Sequence, residues 1–104
     1  LEVRHEGFLW HIIADSATIS EDQERMFLDG AVRIERTGAS DADRVDIDAR
    51  DVTLLVEERI AESSEAVRLA DLSGTLEARG FRVDMLKDEF QLHSDVQGVY
   101  DVPQ

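Results

Sequence analysis

The stretch "SDADRVDID" puts aspartates at positions 41, 43, 46 and 48, a density of carboxylate oxygen that suits a hard divalent cation. A calcium loop also needs a glycine at its sharp turn and a bidentate glutamate to close it. Neither stands at loop spacing here, so the segment reads as a solvated acidic loop. His5, His11 and His93 share no ligand spacing with one another or with nearby acids, and the chain has no cysteine, so no metal site is predicted. Asp15 and Glu21 are a nominal carboxylate pair for acid–base work. With 24 acidic residues against 11 basic ones, such pairs arise by chance. No serine sits in a nucleophile elbow and no glycine-rich phosphate loop is present. The sequence predicts no enzyme and no cofactor.

The chemistry that remains is apolar. In "EFQLHSDVQGVYD", Phe90, Leu92, Val96 and Tyr100 fall on one face of an extended strand, and Gln91, His93, Asp95 and Gln97 on the other. Little sequence follows Tyr100 to pair with this strand. Asp95, Val96, Gln97, Gly98, Val99 and Tyr100 are therefore expected to form an edge whose unpaired N–H and C=O groups accept a partner strand. Gly98 would admit a second backbone closely, Asp95 and Asp101 would blunt self-association, and Tyr100 would cap the apolar mouth.

The elements that carry these residues follow from a repeat. Segments of equal length starting at Ala14, Ala49 and Ala78 align without gaps, each with a valine 18 positions on: Val32, Val67 and Val96. The intervening columns agree: Ala17, Val52 and Phe81; Ile19, Leu54 and Val83; Met26, Ala61 and Phe90. Each unit reads as a hairpin with a turn at "SEDQE", "EER" or "LKDE", and a change of phase after the alanine predicts a bulge. "TGASDADR" and "DLSG" link the units. A helical reading competes over 56–72, with apolar spacing at Val56, Ile60, Val67 and Ala70. The corresponding third-unit segment alternates and contains Gly98, so strand is expected throughout. The only proline, Pro103, lies outside every expected strand.

The fold expected is all-β, an open antiparallel β-jelly roll of two layers, forming a single domain over 1–104. Its inward positions are Trp10, Ile12, Ile19, Met26, Leu28, Val32, Val52, Leu54, Val83, Met85, Phe90, Leu92 and Val96. They would form either a sandwich core or, with small residues at Ala14, Ala17, Ala49, Ala61, Gly74 and Gly98, a trough for lipid chains.

Charge narrows the partners. A net charge of −13 repels phosphate backbones and anionic membrane surfaces. Arg33, Arg36, Arg44, Arg50, Arg68, Arg79 and Arg82 are scattered among acids, so a lipid would be held by its tails with its head group in water. No apolar run approaches the ~20 residues a membrane helix needs.

Trp10 with "IIADSAT", then "MFLDGAVRI", "IDARDVTL" and "LHSDVQGVYD", resembles the LptC family of the lipopolysaccharide export bridge in Gram-negative bacteria. The tryptophan before "ADSAT" and the terminal "LxSxVxGxY" pattern favour it over the repeat-sharing relatives LptA and LptD. The resemblance implies a jelly roll that holds lipid A acyl chains, receives lipopolysaccharide from the ATP-driven LptB2FG transporter on its N-terminal side, and passes it to LptA through the C-terminal edge. It also implies a periplasmic domain tethered to the inner membrane by an N-terminal helix, which is expected, with one further repeat, to lie outside this sequence. The alternatives are an LptA-like soluble bridge protein or a β-scaffold that joins proteins by strand edges without lipid. A carbohydrate-binding jelly roll fits less well, since Phe27 and Tyr100 are the only plausible aromatic platforms.

Overall fold

The computed structural model describes residues 1–100, the side chain of Tyr100 excepted. Those residues form one open, seven-stranded antiparallel sheet in the order β1-β2-β3-β4-β5-β6-β7. The strands are β1 (Glu2–His5), β2 (Phe8–Ile19), β3 (Arg25–Thr37), β4 (Val45–Leu55), β5 (Ile60–Asp71), β6 (Gly74–Asp84) and β7 (Glu89–Tyr100). A 3-10 turn, Asp41–Asp43, lies in the β3–β4 link. The three repeat units are the hairpins β2–β3, β4–β5 and β6–β7, and the segment that competed as helix is β5.

Register sorts the side chains into transverse rows, because directly opposed residues of an antiparallel pair share a face. One row runs Ile19–Met26–Leu54–Ala61–Val83–Phe90 and another Ile12–Ile34–Ile47–Leu69–Leu76–Gly98. Both lie on the concave face, where the core forms. The intervening rows are polar. Arg33, Asp48, Arg68 and Glu77 oppose one another across β3 to β6, a cross-strand alternation of sign that suits an exposed convex face.

The phase change seen in the sequence is a line of bulges. Register shifts fall at Ala14/Ser16, Leu28/Ala31, Asp48/Thr53, Ser63/Ala66 and Glu77/Arg79, one in every strand pair from β2 to β7. Several of the residues on this line adopt left-handed backbone: Gly30 (φ 77°), Asp51 (φ 50°), Gly80 (φ 82°) and Asp95 (φ 52°). Gly30 is fixed there twice. Its N–H donates to Asp51 Oδ1 at 2.9 Å, and a Cβ on it would come within 3.0 Å of the Asp15 carboxylate. Bulges add twist and bend, so the strands, 11 to 13 residues long from β2 onward, coil into a roll rather than a flat sheet.

The coiling packs the sheet on itself diagonally. Trp10, near the start of β2, meets Phe90, at the start of β7, with ring centroids 5.7 Å apart. Arg36, near the end of β3, reaches Asp88 in the β6–β7 turn. One end of the first hairpin thus faces the opposite end of the third. Short turns close the hairpins. In the first, Asp22 accepts from the Ser20 hydroxyl and the Glu24 N–H, which hold its carboxyl below the ordinary aspartate range.

Candidate functional site

The concave face has a filled middle and uncovered ends. Trp10, Ile12, Leu28, Val32, Val52, Leu54, Val83 and Met85 are all buried, as the alternation predicts. Phe90, Leu92 and Met26 are half-buried against them. Ile19 and Val96 correct the expectation of burial: Ile19 shares the concave row of Met26 and Val96 sits at the β6–β7 bulge two residues before Gly98, yet they are 55% and 50% exposed. The diagonal packing is the reason. It covers the Trp10 end of β2–β3 and the Phe90 end of β6–β7, and leaves the two other corners without an opposing layer.

The same packing corrects the expectation of a slot along the whole face. Small residues do line it, with Ala61 wholly buried and Ala49 nearly so, but large side chains from opposite strand ends occupy the space between. Trp10, Phe81 and Met85 are among the largest fully buried residues. Room remains at the first corner, where a groove of about 360 Å³ is lined by Ile12, Ala14, Ala17, Met26 and Leu28 together with Leu1, His11, Ile13 and Ser16. Ile19, paired with Met26, stands exposed next to it. A roomier hollow of about 490 Å³ over the bulges is lined by Asp48, Arg68, Glu77, Arg79 and Asp95, among others; those charges make it a poor host for hydrocarbon.

Two backbone edges stay open within the described residues. β7 pairs with β6 alone, so the stretch from Asp95 to Tyr100 lies along a sheet edge. β1 covers β2 only through His11, with Leu1 and Ile12 joined beyond it, and Ile13–Ile19 present a second edge beside the groove. Gly98 has an internal use: a Cβ there would overlap the Leu76 side chain and approach the Thr75 carbonyl to 3.0 Å. Val99 is 78% exposed. The roles expected of Asp101 and of the Tyr100 side chain lie outside the described residues.

Sequence reasoning missed several features, among them the fully buried Ile34, Ile47 and Phe81, which were not among the inward positions. Strand β1 is four residues long, too short to show alternation, though "HEGF" marks its turn. Phe8 and Arg36 were not among the inward positions. Arg36 lies on the concave face beside Trp10 and Val45 in the pairing register, and its charge argued for the outside.

Neither a metal-ligand cluster nor a membrane-spanning helix is found among the described residues. No group of three or more metal-ligating side chains converges, and Asp46 and Asp48 of "SDADRVDID" are ion-paired with arginine, while Asp43 accepts from Ser40. Arg33, held more basic by Asp48 first and then Asp46 and Glu35, contacts all three, and Arg44 binds Asp46. No helix is long and apolar enough to cross a membrane.

Among the described residues the chain is an open antiparallel roll with an apolar concave face and free strand edges on β7 and on the later half of β2. A family model described as "Lipopolysaccharide-assembly, LptC-related" matches residues 3–101, nearly the whole chain. The chain belongs to the LptC family. No curated protein matches it. Membership gives it a role in lipopolysaccharide transport, and the all-β roll agrees with the fold the resemblance implied. The family's setting is the periplasmic side of the inner membrane.

Proposed function

We propose that this domain is a bridge component that carries lipopolysaccharide by its acyl chains. It receives the lipid from the LptB2FG transporter on its N-terminal side and passes it to LptA through the β7 edge. The protein itself is not an enzyme and consumes no energy; direction comes from its partners. An N-terminal helix outside this sequence tethers it to the inner membrane.

The observation that carries this reading is the groove lined by Ala14, Ala17 and Met26, which also touches the buried Ile12 and Leu28, with the exposed Ile19 opposite Met26 beside it. Each methylene of an acyl chain buried there contributes roughly 0.8 kcal/mol, so partial shelter already gives firm binding. Phe90 and Leu92 at the partly buried far end would yield as the roll loosens. The remaining inward residues, Trp10 to Met85, would line the path only in an expanded state.

Photo-crosslinking tests it. A photoreactive residue at Ile19 or Met26 should label lipopolysaccharide, one at Phe27 on the convex face should not, and one at Val99 should label LptA. Absence of lipid adducts at both concave positions would remove the carrier reading. The filled centre favours one competitor, a strand-edge scaffold without ligand, which predicts labelling from Val99 alone.

A further inference from the structure

One guanidinium lies inside this apolar roll. The Arg36 side chain is 12% exposed, and its Cζ stands 4.5 Å from the Phe8 ring centroid, 5.6 Å from Phe90 and 5.9 Å from Trp10. Aromatic faces hold a cation there by quadrupole attraction, but they satisfy none of its N–H groups. Two bonds do: Nε donates to the Asp43 carbonyl at 2.9 Å, and Nη1 to Asp88 Oδ1 at 2.6 Å. A guanidinium has five donors, so donor capacity is left over. The same stack contains a second idle donor. The Trp10 indole N–H is buried with no acceptor among the described residues, and a buried donor left unpaired is destabilising.

We propose that Arg36 is a receptor for the phosphate of a phosphorylated amphiphile, with the Trp10 N–H as a second donor and Asp88 as the carboxylate that occupies the site in its absence. The inference rests on the carrier reading above and adds a head-group determinant to it. Asp88 suits the part of an exchangeable occupant. It sits in the β6–β7 turn in left-handed backbone, its side chain is 35% exposed, and it can swing into water. Arg36 cannot leave so easily, being stacked on three rings. A phosphate offers the fork two parallel acceptors where Asp88 engages one nitrogen. Exchange would also release the turn of the third hairpin from β3, loosening the end of the roll where Trp10 and Phe90 meet. A purely structural ion pair would predict the opposite response to loss of Asp88: a weaker fold and no gain for any ligand.

Trp10 is the only tryptophan, so its emission reports on the site directly. Wild type, Arg36→Met and Asp88→Asn should be titrated with dodecyl phosphate, dodecyl maltoside and inorganic phosphate, below the micellar range of the detergents. Charge-assisted hydrogen bonds of about 1.5–3 kcal/mol predict that wild type prefers dodecyl phosphate to the maltoside by about tenfold or more. That preference would run against a net charge of −13, so it must be local. Arg36→Met should lose the preference while keeping the maltoside affinity, and Asp88→Asn should bind the alkyl phosphate more tightly than wild type. Equal affinity for the two amphiphiles overturns the proposal and leaves the carrier reading standing, whereas binding of neither sinks both. Inorganic phosphate binding as tightly as the alkyl phosphate would replace the amphiphile with free phosphate. Should Arg36→Met fail to fold, the Asp88→Asn titration alone decides, since unchanged or weakened phosphate binding there contradicts the exchange.

Discussion

Phe81 and Phe27 carry the same ring to opposite faces of one sheet. Phe81 opposes Leu92 and is 1% exposed, whereas Phe27 stands 39% exposed between Thr18 and Thr53. Truncating the first removes a buried ring and leaves a cavity; truncating the second removes a ring that water already wets. Phe81→Ala should therefore cost about 3–5 kcal/mol and Phe27→Ala about 1 kcal/mol or less, measured by urea unfolding. Comparable losses from the two variants would mean that the faces are wrongly assigned. Trp10 is the residue at which packing and chemistry meet, because it fills the diagonal contact and also keeps an unpaired N–H.

The element that makes the roll is the bulge line, and the hairpin that leaves its edge free is the third. Each strand pair from β2 to β7 slips its register once, and the slips align across the sheet, so the bend is shared rather than concentrated in one loop. β6 and β7 depend on a close approach at Gly98, where Leu76 occupies the place a side chain would take. Gly98→Val should force these strands apart and destabilise the hairpin by about 1–3 kcal/mol, as overpacking does. Hydrogen exchange would show the loss in β7 and β6 before β2 and β3. Uniform loss of protection would indicate instead that the sheet opens as one unit. The three repeat units were legible from the sequence because alternation and the alanine-anchored columns are local signals. Strand β1 was not, since four residues cannot establish a period.

For the whole molecule, opposing electrostatic effects need weighing. The ion pairs of the convex face, Arg33 and Arg44 with Glu35, Asp46 and Asp48 and Arg82 with Glu62, involve side chains 23–58% exposed, and such pairs contribute about 0–1 kcal/mol each. Net charge of −13 on 104 residues acts against the compact state as a sum over all sites. Repulsion should win, so the melting temperature should rise as salt is raised from about 10 mM to about 150 mM, where the screening length falls from roughly 30 Å to 8 Å. A fall in melting temperature over that range would mean that the Arg33 and Arg44 network outweighs the global charge. The long roll, 52 × 31 × 22 Å, spreads its acids over a large surface, and a partner that docks at either edge meets that field first.

Pattern along the chain was enough to establish an all-β chain, its three hairpins and much of its concave face, because side-chain alternation and turn chemistry act between near neighbours. The tertiary structure alone decided which corners of that face are covered. That outcome depends on twist accumulated over seven strands and a line of bulges, which carries Trp10 to Phe90 and Arg36 to Asp88 from opposite ends of the sheet. Ile19 and Val96 lost their cover, and a charged residue gained a place inside, for the same reason: burial is set by what arrives from across the roll, and no local period encodes that.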